Sequence, residues 1–245
     1  MDFLEFFAVV EQDRDILNPI SARKLERVAG YAGLRDGLSV LDLGSGKAAM
    51  LRQWAARWAI RGTGLELNPA FVREARALAQ AEGMADRLHL WEGRVLDFTP
   101  EPDGYDVVSC LGAPFVIGSF AQAVAWMRER LKPGGSLVIG DTYLRKPAPP
   151  DDLERWGCAG QPTLEERCAE LQAAGLTLTG LAVASTDDWD HYTGLMWSGV
   201  ARWAGTTPHH PHRAEILEKV EEGRRQYLGG QREHLGWAVL VARAN

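Results

Sequence analysis

Cysteine is scarce in this chain of 245 residues, and long apolar runs are missing. The three cysteines, Cys110, Cys158 and Cys168, lie far apart and form no Cys-x-x-Cys pair, which argues against a disulfide framework or a cysteine metal site. No apolar run reaches the roughly 18 residues of a membrane span. The first residues, Met-Asp-Phe-Leu, carry an acid where a signal peptide needs a basic segment. These absences predict a cytoplasmic protein without a membrane partner.

Positive charge is also limited. Lysine and arginine total 27 against 33 aspartates and glutamates, so the formal net charge is −6, and no dense basic run occurs. An acidic chain has no general attraction for phosphate backbones, so no nucleic-acid partner is expected. The hydrophobic content of 46% and the charged content of 24% are typical of a globular protein. The length fits one α/β domain.

Short apolar runs alternate along the chain with segments of helical periodicity. Strands are predicted over residues 38–43, 62–67, 88–92, 105–111, 136–140, 176–185 and 235–242. Helices are predicted over residues 2–10, 19–32, 48–60, 69–82, 119–131, 163–174, 188–204 and 213–228. This alternation indicates an α/β fold with a parallel sheet and helices on both faces, which binds ligands at the carboxyl ends of its strands.

The most informative motif is a glycine turn between the first strand and its helix. The strand that ends in Val40-Leu-Asp-Leu43 runs directly into Gly44-Ser45-Gly46. Glycine lets the backbone turn tightly and approach a ligand, and the helix that follows offers free N–H groups. Glu66 ends the next strand about 20 residues later, where doubly wound folds place the carboxylate that binds a ribose diol. At this point both NAD and S-adenosylmethionine remain possible ligands.

Four segments resemble the motifs of class I S-adenosylmethionine-dependent methyltransferases. Leu41-Asp-Leu-Gly-Ser-Gly46 is similar to the first motif, and Glu66 matches the second-strand acid. Tyr105-Asp-Val-Val108 and the segment 131–139 are similar to the fourth- and fifth-strand motifs. No third glycine follows Gly46, which departs from the Gly-x-Gly-x-x-Gly of dehydrogenases. The resemblance covers about residues 38–141 and implies a Rossmann-like seven-stranded methyltransferase sheet.

The resemblance also implies roles for individual residues in binding S-adenosyl-L-methionine. Asp42 and the turn Gly44, Ser45 and Gly46 would hold the methionine end, and Glu66 would bind the ribose hydroxyls beside Leu67 at the adenine. Gly93, Arg94 and Val95 would contact the adenine, although Arg94 stands where the family often has an acid. Cys110, Leu111 and Gly112 lie where the fourth strand would open onto the reacting centre.

Several classes of methyl acceptor are disfavoured by what the chain lacks. The segment Cys110-Leu-Gly-Ala-Pro-Phe115 differs from the (Asn/Asp/Ser)-Pro-Pro-(Tyr/Phe) motif of DNA amino-methyltransferases. No Pro-Cys pair occurs for cytosine-5 chemistry, and no glutamate pair of the protein arginine enzymes lies between Tyr105 and Trp126. Catechol-type enzymes hold magnesium with several acids, whereas only Asp141 is available here. A small-molecule acceptor, methylated at O, N or C without a metal, is therefore expected.

The insertion between strands six and seven departs from the short hairpin that is usual in the family. We expect a single domain with an N-terminal helical cap (1–35), a cofactor-binding core (36–186), a helical substrate cap (187–233) and a last strand (234–245). Together with Asn18-Pro-Ile-Ser21 and Leu235-Gly-Trp237, the segment 187–192 resembles a group of bacterial methyltransferases whose substrates are unassigned.

Aromatic residues of the cap are candidates for an acceptor pocket. Tyr143, Trp189, Tyr192 and Trp197 could wall a flat ring or a cationic amine. The alternative is that this aromatic stripe only docks the cap helix on the sheet. No catalytic base stands out, and the candidates are His191, Tyr143 and Asp141. Two rival functions stay open: a cofactor-binding protein without transfer activity, and a nicotinamide-dependent oxidoreductase. The oligomeric state is also open.

Overall fold

The computed structural model describes residues 1–244, so Asn245, the last residue of the predicted final segment, lies outside the described residues. Those residues form one seven-stranded sheet in the order β3-β2-β1-β4-β5-β7-β6. The strands are β1 (Ser39–Leu43), β2 (Arg61–Glu66), β3 (Leu88–Glu92), β4 (Tyr105–Leu111), β5 (Leu131–Leu144), β6 (Leu176–Val183) and β7 (Leu235–Ala244).

Helices flank the sheet and precede it. They are α1 (Phe3–Val10), α2 (Ala22–Ala32), α3 (Ala49–Arg57), α4 (Pro69–Ala81), α5 (Phe120–Arg128), α6 (Pro150–Arg155), α7 (Leu164–Ala173), α8 (Thr186–Thr206), α9 (Arg213–Gln226) and α10 (Arg232–His234). A π-helical segment, Tyr227–Gln231, joins α9 to α10. Within residues 1–244 no helix is long and apolar enough to cross a membrane.

The order of the strands explains where a ligand can bind. Strands β1 to β5 are parallel, and β1 pairs with β2 on one side and with β4 on the other. The chain therefore changes direction across the sheet between β1 and β4, and such a switch point opens a crevice at the carboxyl ends of the strands. Every residue of β1 is buried, as expected for a central strand covered on both faces. The predicted α/β Rossmann-like sheet is confirmed.

Strand β7 makes the sheet mixed, because it runs antiparallel between β5 and β6. The predicted helical insertion between strands six and seven is also confirmed, and it comprises α8, α9, the π segment and α10. It packs against the N-terminal helix through a shared apolar cluster. The buried members of this cluster are Val10, Val200, Ile216 and Val220.

Local signals placed many boundaries correctly, and the exceptions have physical causes. Strand β5 extends from Leu131 to Leu144, well beyond the predicted 136–140, because Ser136 to Leu144 pair with β7. The short helix α6 arises in a proline-rich segment for which no helix was predicted. Pro150 is its first residue, where a missing N–H costs nothing.

Candidate active site

A cavity of about 860 Å³ opens at the carboxyl ends of the parallel strands. Residues of α1, α8 and the segment between α1 and α2 also line it, so the two helical parts outside the sheet form its other walls. Eleven of the twelve predicted cofactor residues line this cavity: Asp42, Gly44, Ser45, Gly46, Glu66, Leu67, Gly93, Arg94, Val95, Leu111 and Gly112. Ligand pockets have volumes of about 300–1,000 Å³, so a large ligand or two ligands fit.

The turn after β1 requires glycine at two positions. Gly44 and Gly46 have φ angles of 64° and 55°, in the left-handed region that favours glycine. A Cβ on Gly44 would lie 2.5 Å from the Cβ of Ala113, and one on Gly46 would lie 2.7 Å from Leu17 Cδ1. The two glycines therefore keep the backbone close to the opposite wall and leave the mouth of the turn open to a ligand.

Asp42 is a buried carboxyl group at the end of β1. Its Oδ1 accepts a hydrogen bond of 2.7 Å from the Ser109 hydroxyl. Burial raises the pKa of Asp42 from 3.8 to about 7, and the nearby charge of Glu66 acts in the same direction. A cationic group bound beside Asp42 would lower this pKa and stabilise the ionised form. Asp42 is therefore suited to bind an ammonium group.

Glu66 is held by the backbone at the end of β2. Its Oε2 accepts a hydrogen bond of 2.9 Å from the Gly46 N–H, and its Oε1 accepts one of 2.7 Å from the Asn68 N–H. Burial raises the pKa of Glu66, while these backbone hydrogen bonds oppose the increase. Each carboxylate oxygen can accept a further hydrogen bond, so the side chain is positioned for a vicinal diol.

Asn68 connects this site to the N-terminal helix. It caps α4, because its Oδ1 accepts a hydrogen bond of 3.0 Å from the Ala70 N–H. Its Nδ2 donates a hydrogen bond of 3.0 Å to the Leu4 carbonyl. Phe3, Leu4 and Phe7 of α1 line the cavity. One side chain therefore fixes α1 over the end of β2.

The cavity lining also includes three aromatic residues of α8 and β7, which are Trp189, Tyr192 and Trp237. The Tyr192 hydroxyl donates a hydrogen bond of 3.1 Å to Glu11 Oε1. Arg14 Nη1 lies 2.7 and 2.6 Å from the two oxygens of Glu11, and the guanidinium carbon is 3.4 Å from the centre of the Tyr192 ring. Burial raises the pKa of Tyr192, so its phenol stays protonated and acts as a donor.

Asp141 is the one of the three catalytic candidates that belongs to the cavity lining within residues 1–244. Its Oδ2 accepts a hydrogen bond of 2.7 Å from Arg167 Nη2, and its Oδ1 accepts one of 2.8 Å from the Thr142 N–H. Burial raises the pKa of Asp141 although Arg167 lowers it. The Gly112 N–H donates to the Gly140 carbonyl at 2.8 Å, so Asp141 lies in β5 directly after the point where β4 ends.

Four predicted site residues lie outside the cavity lining. Cys110 is buried in the core on the other face of the sheet, because side chains alternate along β4 and Leu111 takes the cavity side. Tyr143 packs in the same core with its ring over Gly236. Trp197 packs against the apolar cluster of α1, α8 and α9, and His191 is exposed. Helical rotation separates both residues from Tyr192.

Several cavity residues carried no site prediction. Glu11 and Asp15 belong to a segment without a recognisable motif, and their roles depend on distant partners. Trp237 is buried and also lines the cavity. Asn18 is part of the Asn-Pro segment noted in the sequence. Its Nδ2 donates a hydrogen bond of 3.3 Å to the Leu111 carbonyl.

Comparisons with known proteins agree with this geometry. A family model described as a methyltransferase domain matches residues 40–135. The chain is 29% identical to the Escherichia coli protein YjhP over 99% of this chain and 100% of that protein. It is 26% identical to the 27-O-demethylrifamycin SV methyltransferase of Amycolatopsis mediterranei, over 93% of this chain and 85% of the relative.

A solved structure shows the same fold with a cofactor product bound. The S-adenosylmethionine-dependent methyltransferase of Geobacter sulfurreducens, in complex with S-adenosyl-L-homocysteine, has a TM-score of 0.92 and 29% identity and covers 98% of both chains. Together with the family model and the glycine turn, this similarity gives the class of protein: the chain is an S-adenosylmethionine-dependent methyltransferase with the Rossmann-like fold of such enzymes. Its cofactor is S-adenosyl-L-methionine.

Proposed function

We propose that this methyltransferase acts on a small organic acceptor, at an O, N or C nucleophile and without a metal. The observation that carries the proposal is the single cavity in which the glycine turn and Glu66 face an aromatic wall. Its volume of about 860 Å³ leaves room for an acceptor beside the cofactor. The relative named for 27-O-demethylrifamycin SV also supports a small acceptor.

In this proposal the cofactor occupies one end of the cavity and the acceptor occupies the other. Asp42 and the turn Gly44–Gly46 bind the methionine part, and Glu66 accepts hydrogen bonds from the ribose hydroxyls. Leu67, Gly93, Arg94 and Val95 border the adenine. The cofactor then extends from the end of β3 towards Leu111 and Gly112 at the end of β4, where these two residues border the reactive methyl group.

The acceptor binds at the end of the cavity beyond Leu111 in this proposal. S-adenosylmethionine supplies a methyl group on a sulfonium, which is a good leaving group. The remaining task of the protein is therefore alignment and the exclusion of water. Trp189, Tyr192 and Trp237 hold the acceptor, and Asp141 takes a proton where the nucleophile must lose one. Its pKa, raised by burial, suits that role.

Three further parts of the proposal concern the surroundings of the site. Residues 1–35 and 187–233 act as caps of one domain, because α1 and α8 line the cavity from opposite ends of the chain. Nucleic acid is not the acceptor, in keeping with the acidic lining. A cytoplasmic location is supported by the three free cysteines, which suit a reducing compartment.

The test is calorimetric titration of the pure protein with S-adenosylhomocysteine and with NAD. We expect micromolar binding of the first and none of the second. In Glu66→Ala the loss of two charge-assisted hydrogen bonds is expected to weaken S-adenosylhomocysteine binding by about 100-fold. Glu92→Ala is the matched control, because Glu92 pairs with Glu66 across β2 and β3 but is exposed and outside the cavity lining.

Equal losses in the two variants would contradict the role of Glu66, and binding of NAD alone would overturn the proposal. The acceptor is then sought with methyl-labelled cofactor and a panel of small aromatic alcohols, phenols and amines. Transfer to protein or nucleic acid, with none to any small acceptor, would contradict the proposed acceptor class.

A further inference from the structure

Most of the charged side chains that line the cavity are acidic. Within residues 1–244 the lining contains five carboxyl groups and a single cationic side chain, that of Arg94. Arg94 follows β3, at the adenine end of the cavity. The strand order places β2, β1 and β4 between β3 and β5. With strands about 4.8 Å apart, Arg94 lies on the order of 19 Å from the end of β5 and supplies no positive charge there.

Three of the five lining carboxyl groups lie outside the predicted cofactor set, and each is bound to an arginine that does not line the cavity. The pairs are Glu11 with Arg14, Asp15 with Arg52, and Asp141 with Arg167. In each pair the residue with the carboxylate belongs to the cavity lining and the arginine does not. Each of these carboxylates is held by a charge-assisted contact with its arginine.

Glu11, with its partners Arg14 and Tyr192, forms a part of the cavity that we call the Glu11 wall. Hydrogen bonds connect this wall to the end of β4. The Tyr192 hydroxyl that donates to Glu11 is 3.4 Å from the Leu17 carbonyl. The next residue, Asn18, donates its hydrogen bond to the Leu111 carbonyl at the end of β4. A small ligand can therefore place one group at Glu11 and its nucleophile at Leu111.

The wall has unused capacity to bind a cationic donor. Glu11 is 4% exposed, and its Oε2 accepts one hydrogen bond, from Arg14. A carboxylate oxygen can accept two, so a donor from the cavity can be added. Trp189 also lines the cavity, and its ring face can attract a cation, whereas the Tyr192 ring already contacts the Arg14 guanidinium. An anionic acceptor would instead meet an acidic lining with no cationic side chain at this end.

We infer that the acceptor is an aromatic amine that binds as its cation, with the ammonium at the Glu11 wall and the ring against Trp189. This inference rests on the proposed function, because it names the chemical class that the same acceptor site takes. The charged group that is recognised and the nucleophile that is methylated are separate parts of the acceptor.

The experiment uses the full chain saturated with S-adenosylhomocysteine and three probes of similar size that differ in charge. They are 2-phenylethylamine, 2-phenylethanol and phenylacetate, titrated calorimetrically at pH 7. The amine is expected to bind at least tenfold more tightly than the alcohol, and phenylacetate is expected to bind most weakly. Low salt strengthens the difference and high salt reduces it, because charge recognition is screened.

Two variants test which charges cause the preference. Asp141→Asn removes one carboxylate while Arg167 keeps its partner Glu170. Glu11→Gln combined with Arg14→Gln removes a buried pair together, so that no uncompensated buried arginine remains to unfold the protein. Each variant is expected to lose about tenfold in affinity for the amine and little for the alcohol. Glu218→Gln, an exposed change of the same charge on α9, is the control and leaves the preference intact.

The outcomes separate this inference from the proposed function. Equal binding of alcohol and amine, tighter binding of phenylacetate, or no binding of the amine at millimolar concentration would each overturn the inference while S-adenosylhomocysteine still binds. An unchanged preference in both variants would also overturn it. Loss of S-adenosylhomocysteine binding by the unmodified protein would instead overturn the proposed function.

Discussion

At Asp42 a carboxyl group is buried at the end of β1, and the Ser109 hydroxyl is its side-chain donor. Such burial has a cost in the free protein, because the ionised form is poorly solvated. The cost is recovered when a cation binds. Buried Asp42 therefore lowers the stability of the cofactor-free protein and increases its affinity for the cofactor.

The pH dependence of stability tests this cost. In the unfolded chain Asp42 ionises near pH 3.8, whereas in the folded protein it stays protonated until about pH 7. Between these values the folded state binds more protons, so the free energy of unfolding falls as pH rises through this window. For a difference of about 3 pK units the loss is on the order of 4 kcal/mol.

The measurement is urea unfolding of the cofactor-free protein between pH 4 and 8. Asp42→Asn is expected to be more stable than the unmodified protein at pH 8, with the downward slope between pH 4 and 7 reduced and S-adenosylhomocysteine binding lost. Asp103→Asn, at an exposed carboxyl group, serves as the control and keeps the original slope. The same slope in both variants would contradict the explanation.

At the scale of elements, a hydrogen bond joins α1 to the start of α4 beside Glu66. Asn68 makes this contact with its Nδ2 and caps α4 with its Oδ1. The two functions of one side chain can be separated by substitution. Serine keeps a capping oxygen, since it is a good N-cap residue, but its short side chain lacks the amide donor that reaches Leu4.

Asn68→Ser is therefore expected to leave α4 intact and to loosen α1. Hydrogen exchange followed by mass spectrometry should show about tenfold faster exchange of the α1 amides and little change in α4. Asn68→Ala, which also removes the cap, should accelerate both helices and cost about 1 kcal/mol of stability. Unchanged exchange of α1 in Asn68→Ser would show that other contacts hold this helix.

The same scale shows what could be predicted from the sequence. The turn from β1 into α3 and the cap of α4 depend on neighbouring residues, so glycine, proline and asparagine signals were sufficient. Glu66 was predictable because its distance along the chain from the turn is characteristic. The full length of β5 depends on β7, about 100 residues later. The hydrogen bond that Glu11 accepts from Tyr192 joins residues 181 positions apart. No local pattern contains such pairings.

Across the whole molecule, the cavity joins parts of the chain that are distant in sequence. Its lining runs from Phe3 to Trp237 and includes residues of β1, β2, α1 and α8. A ligand there contacts the sheet and both helical parts at once. Because an unfolded chain presents no such arrangement, the ligand stabilises the folded state by its binding free energy.

S-adenosylhomocysteine at 100 times its dissociation constant is expected to add about 2.7 kcal/mol to the stability. For a protein of this size, that corresponds to a rise in melting temperature of about 5–10 °C. Differential scanning calorimetry measures the shift, with Glu66→Ala at the same ligand concentration as the control. A rise of the same size in that variant would indicate binding elsewhere on the protein.

The insertion of α8 and α9 leaves and re-enters the sheet at neighbouring points. Val183 of β6 pairs with Ala238 of β7, and the Ala184 N–H donates a hydrogen bond of 2.9 Å to the Trp237 carbonyl. In topological terms the whole insertion is a long hairpin loop. It can be exchanged as a cassette between proteins that share this sheet, and its length can vary without shifting a strand. The part of the cavity lining that Trp189 and Tyr192 supply can therefore change, by evolution or by design, without altering the glycine turn or Glu66.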